Sequence, residues 1–260
     1  MKTKIIFLFI IIGALQFSFA EDNAKWKTVK STHFVVYYNN AEEGFLNKVV
    51  ERAEDYYNRI ADALGFRRYD FWLWDNRAKV YIYDDAQGYQ LATGQPGWSA
   101  GAAIIQEKTI YTFPNDKGFL QTILPHEMGH IIFREFVGFN NYVVPLWLDE
   151  GVACYQEEGR RMASQMVIGR ALRNNKLMSL GDLAAFNALF AQSRESIELF
   201  YAESFSIIDY LIRKFGSDKF VLFCQVLRDK KNLEEAISYA YSFANLKELD
   251  KAWQKYTREN

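Results

Sequence analysis

The hydrophobic pattern of the chain changes rhythm twice. Lys2 and Lys4 precede an apolar run from Ile5 to Leu15, and Ser18-Phe19-Ala20 follows it with small residues suited to cleavage. A basic start, a short apolar stretch and a small-residue end read as a secretory signal over residues 1–20, with the mature chain starting near Glu21. Next comes strand-like spacing. His33 to Tyr38 and Ala78 to Tyr83 are rich in β-branched and aromatic residues, and between them Asn40 and Glu43 form a capping box for a helix to about Leu64. Ala102 to Ile105 and Thr109 to Phe113 read as two more strands, joined as a hairpin by Gln106-Glu107-Lys108. A helix is expected from about Gly118 to Phe136, and from Leu146 onward the period is helical: roughly 148–158, 161–173, 201–215, 217–229, 232–242 and 246–257. The expected fold class is α+β. A small mixed β-sheet lobe (about 30–137) precedes a mainly helical lobe (about 146–258), within a single domain over 21–260.

Charge and cysteine content narrow the partners. With 31 basic and 32 acidic side chains the net charge is −1, so neither nucleic acid nor an anionic membrane surface is an expected partner. The leader's apolar run is shorter than the roughly 20 residues that span a bilayer, and later apolar runs are broken by charge within a few turns. No stable membrane span is expected after cleavage, and the predicted location is periplasmic or extracellular. Cys154 and Cys224 lie in helix-like segments and read as buried thiols, not as a disulfide framework.

One pentapeptide concentrates the chemistry: His126-Glu127-Met128-Gly129-His130 holds two of the chain's three histidines. On a helix, residues four apart lie one turn above each other, so both imidazoles can reach one metal ion. Glu127 lies about 100° round from His126, badly placed as a ligand and well placed to take a proton from water. Two ordinary histidines on an amphipathic helix are the competing reading. The third histidine, His33, opens a strand far away in sequence and reads as structural. Catalytic zinc takes three protein ligands. The next candidate is Glu150, separated from His130 by 19 residues, although an acid at a helix start is also common for electrostatic reasons.

His126 to His130 followed at that interval by Trp147-Leu148-Asp149-Glu150-Gly151-Val152-Ala153 resembles the gluzincin metallopeptidases, most closely the peptidase MA-like proteins and the related aminopeptidase branch. The resemblance implies a zincin-like metallopeptidase fold with the motif helix at the junction of the lobes. It also implies one Zn2+ ion on His126, His130 and Glu150, Glu127 as general base, and a peptide or protein substrate. In Phe200-Tyr201-Ala202-Glu203-Ser204 it gives Tyr201 the role of oxyanion donor, against which stands an ordinary core tyrosine.

Three departures from the family pattern matter. Pro125 implies a kink in the motif helix. Cys154 stands where many gluzincins place an aspartate that orients a histidine, so backbone carbonyls or Asp149 must serve instead. Trp98-Ser99-Ala100-Gly101-Ala102-Ala103 lacks the amine-binding glutamate of the aminopeptidases, which favours an endopeptidase. Its substrate is expected along Thr109, Ile110 and Tyr111, taken as an edge strand. A non-catalytic binding protein and a zinc amidase acting on cell-wall material are the alternatives.

Overall fold

Alternate residues of Phe34–Tyr38 (β2) and Ala78–Ile82 (β3) are buried, Phe34 and Val36 on one, Ala78, Val80 and Ile82 on the other. This two-residue period sets one face of each strand into a core. The computed structural model describes residues 26–67, 72–97, 99–115, 118–186 and 193–259; the predicted signal segment lies outside them. β2 and β3 run parallel and are joined by a helix, Glu43–Ala63 (α1), the connection a parallel pair requires. Lys27–Lys30 (β1) adds antiparallel to β2, Thr109–Thr112 (β5) parallel to β3, and Gly101–Ile104 (β4) antiparallel to β5. The resulting mixed sheet has the order β1-β2-β3-β5-β4.

This order corrects one expectation. β5 is hydrogen-bonded on both sides and all four of its residues are buried, so Thr109, Ile110 and Tyr111 have no open edge to offer a peptide. The sheet's edges are β1 and β4. Alternation within a strand shows which face is buried, but its neighbours are set by the β3-to-β5 crossover, which local pattern does not encode.

Ala86–Thr93 (α2) is an unpredicted short helix, capped where the Asp85 side chain accepts from the Gly88 N–H and ended by Gly94 in the left-handed region. A π-helical turn, Phe119–Ile123, leads directly into Leu124–Val137 (α3). The predicted kink at Pro125 is thus a widened turn placed just before the residue that lacks an N–H donor. β4 lies against this turn: a Cβ on Gly101 would stand 2.8 Å from Ile123 Cγ2 and 3.2 Å from the Phe119 ring.

The rest is helical: Leu146–Gln156 (α4), Arg160–Arg173 (α5), Leu180–Ala185 (α6), Arg194–Phe215 (α7), Ser217–Lys230 (α8), Leu233–Tyr241 (α9) and Leu246–Glu259 (α10). α7 begins earlier than its apolar period indicates because Ser193 caps it, accepting from the Ser196 N–H. The chain divides into two units. One holds the sheet, runs to Asn58 and resumes from Asp70 to Glu127; the other comprises Arg59–Tyr69 and the chain from Met128 onward. In the second unit Trp147, Leu148 and Val152 of α4 are fully buried, each stabilising the fold by roughly 1.5–3 kcal/mol. Cys154 and Cys224 are both free and buried. Among the described residues no helix is long and apolar enough to cross a membrane.

Candidate metal centre

Two glycines let the helices that carry the site approach closely. A Cβ on Gly129 of α3 would stand 2.9 Å from Ala153 Cα of α4, and one on Gly151 of α4 would stand 2.4 Å from the Ser204 carbonyl oxygen of α7. Any side chain at either position would push these helices apart. Each glycine neighbours a site residue, His130 and Glu150 respectively, so tight packing fixes the backbone from which those side chains project.

His126, Glu127 and His130 of α3 and Asp149 and Glu150 of α4 are all buried, none more than 2% exposed. His126, His130 and Glu150 each present a ligand atom, and these atoms lie within 4.8 Å of one another. His130 Nε2 is 3.7 Å from Glu150 Oε2. That distance is too long for a good hydrogen bond, but close to the ~3.4 Å that separates two ligands of a tetrahedral ion with bonds of about 2.1 Å. Two imidazoles and a carboxylate are a donor set suited to zinc.

A carboxylate behind the imidazole orients it. His130 Nδ1 lies 3.1 Å from Asp149 Oδ1, while Arg134 donates through Nε and Nη2 to Asp149 Oδ2 at 2.9 and 2.7 Å. Burial opposes ionisation of Asp149, but the charges and hydrogen bonds of His130 and Arg134 outweigh it and hold the carboxyl down to about 2. An ionised Asp149 only accepts, so Nδ1 of His130 carries the proton and Nε2 keeps its lone pair free for a metal.

Tyr201 of α7 is 7% exposed. Burial drives its phenol well above the usual range, Glu150 and Cys154 push the same way, and Arg160 opposes only in part. It therefore remains an O–H donor at neutral pH. The negative field of Glu127 is felt by Tyr89, whose phenol is raised to about 12, mainly by burial. Tyr89 Oη donates to Ser99 Oγ at 2.8 Å, since Ser99 spends its own proton on the Gly101 carbonyl at 3.0 Å. This chain of bonds ties the start of β4 to the neighbourhood of Glu127.

The structure thus brings together His126, His130, Glu150 and Asp149, sets Tyr201 in the field of Glu150, and leaves Thr109, Ile110 and Tyr111 inside the sheet. It also adds residues that sequence reasoning missed. His126, Cys154 and Glu157 form a second group of mutually close ligand atoms, and Arg160 lies over the Tyr201 ring. A signal for Glu157 was present: positions 150, 154 and 157 have the i, i+4, i+7 spacing of one helix face. His33 is engaged elsewhere, with its ring nitrogen 2.5 Å from Glu54 and its ring stacked on Tyr57.

A mixed sheet followed by helices, with such a donor group on two of them, is a construction of the metallopeptidase class of hydrolases, in which protein carboxylates and a cation share the work of amide cleavage. The family model of the peptidase MA superfamily matches residues 74–259. The chain belongs to that superfamily, typically zinc-dependent and acting on peptides. No curated protein matches the chain.

Proposed function

We propose that the chain is an exported zinc peptidase that cuts within peptide chains, with His126, His130 and Glu150 holding one ion. The observation that carries this reading is the convergence of those three buried ligand atoms within 4.8 Å, with Glu127 beside His126 on the same helix. A zinc ion held by these residues would supply Lewis acidity and lower the pKa of water towards about 7. Glu127 is the proton carrier: its carboxylate takes a proton from the attacking water and passes it to the leaving amine. Tyr201, kept protonated by burial, donates its O–H to the oxyanion that develops on the substrate carbonyl. Asp149 holds the His130 ring, and Glu157 provides beside His126 the carboxylate that Cys154 does not.

The sheet edge at β4 supports a place for an extended substrate, whose backbone can pair with an open strand. The lack of an amine-binding glutamate in the stretch 98–103 supports internal cleavage over removal of single amino-terminal residues. The leader at residues 1–20 supports export to the periplasm or the extracellular space.

The test compares wild type with Glu127→Gln on peptides blocked at their amino termini, with zinc content measured on the same samples. Wild type is expected to cleave internally. Glu127→Gln is expected to keep its zinc and lose about 10^3-fold in kcat/KM. Undiminished cleavage by Glu127→Gln overturns the reading.

A further inference from the structure

Arg160 opens α5 directly after Gly159, whose φ of 75° turns the chain sharply beyond the end of α4. Its side chain is 17% exposed, so a permanent positive charge is largely withdrawn from water while one side stays reachable. Neighbouring negative charge outweighs burial and favours the cation, but its hydrogen bonding is sparse. Nη1 lies 3.5 Å from Glu157 Oε2, at the outer limit of a hydrogen bond, and the buried Nε has no partner among the described residues. The guanidinium carbon stands 5.6 Å from the centre of the Tyr201 ring, and the carboxylates of Glu157 and Glu150 lend it negative charge.

A guanidinium carries five N–H donors, and burying one with a single long contact costs stability. The partly exposed Nη end of a guanidinium beside a candidate reaction centre matches the two oxygens of a carboxylate side by side, a recognition that a lysine does not reproduce. Peptides carry carboxylates in two places, at the C-terminus and on Asp or Glu side chains.

We propose that Arg160 is a specificity residue that binds a carboxylate of the peptide substrate; this rests on the peptidase reading given above. The guanidinium keeps its long contact to Glu157 and directs its remaining donors at the incoming anion. An acidic group then fixes which peptide bond lies against Glu127 and Tyr201. Short peptides with a free C-terminus, or longer ones with an acidic residue near the cut, become the preferred substrates.

Calorimetric binding to zinc-loaded Glu127→Gln protein tests this without turnover. The probes are peptides of one neutral sequence in which a single Glu, or Gln as its control, is moved from position to position, each with a free or an amidated C-terminus. At least one acidic peptide is expected to bind about tenfold or more tightly than its neutral counterpart; gain from the free C-terminus and gain from Glu identify the source. Arg160→Gln is expected to erase the preference while the neutral peptides bind as before, and Arg160→Lys to restore only part of it. Equal binding of all peptides, binding of none, or a preference that survives in Arg160→Gln overturns the proposal. The comparison of acidic with neutral peptides on the protein with Arg160 intact decides even if an Arg160 variant fails to fold. Zinc-dependent cleavage without a carboxylate preference removes this inference alone, whereas a preference lost in Arg160→Gln on a protein that cleaves nothing removes only the peptidase reading.

Discussion

Asp149 on α4 and Glu203 on α7 are both buried carboxylates, on helices that pack against each other, and they have opposite acidities. Asp149 has the His130 ring beside it and two hydrogen bonds from the Arg134 cation, which overcome burial and hold it down to about 2. Glu203 has no such partner. Its Oε1 accepts one backbone N–H, from Met178 at 3.1 Å, and Oε2 has no partner among the described residues. Burial, reinforced by Asp250 and Asp182 and opposed only by the Met178 bond, pushes it up to about 8. Burial without a cationic partner therefore favours a neutral carboxyl, and the partners decide whether it stays charged. The charged one sits behind a candidate ligand; the neutral one fastens the segment before α6 to α7.

Removing the charge at the first position has the largest expected effect. Asp149→Asn leaves the half-buried Arg134 without an anion, at a cost of about 2–3 kcal/mol in chemical denaturation, and loosens His130, weakening zinc binding by about 10–100-fold. An unchanged denaturation midpoint would show that Arg134 does not depend on Asp149. Tyr201→Phe comes next: kcat falls by about 10–100-fold with KM within about threefold, read from steady-state kinetics. A change confined to KM would make Tyr201 a pocket residue.

The same substitution at the second position acts in the other direction. Glu203→Gln removes the need to keep a carboxyl neutral, so at pH 8 the variant is more stable than wild type by on the order of 2 kcal/mol. The pH dependence carries the contrast further. Glu203 has a raised pKa, so its contribution to stability is complete below about 4.5 and is lost as pH rises to about 8. Asp149 has a lowered one, so its contribution is complete above about 4 and is lost as pH falls towards about 2. Denaturation midpoints measured from pH 2 to 9 should rise on the acid side and fall on the alkaline side. Glu203→Gln should flatten only the alkaline limb, and a parallel loss of the acid limb would show that the two carboxylates are coupled.

The residues legible in the sequence are those whose roles follow from regular spacing. His126 and His130 share a helix face at i and i+4, and Glu150 follows at a family interval in a helix-forming stretch. β2, β3 and α1 were equally legible, because alternation and a capping box are local. β1 was not: Lys27-Thr28-Val29-Lys30 is mostly exposed, and only pairing with β2 makes it a strand. The interior position of β5 depends on strand order, which no local period records. Arg160 was hidden for a different reason, since the turn at Gly159 redirects the chain and breaks the helical spacing that links Glu150 to Glu157.

The central claim is that α3 and α4 together hold a catalytic zinc ion, and calorimetric titration of zinc into metal-stripped wild type and Glu150→Ala tests it most directly. The account predicts one equivalent bound by wild type and binding at least about 100-fold weaker in Glu150→Ala, with the fold retained by circular dichroism. Equal zinc affinity in the two proteins would contradict it.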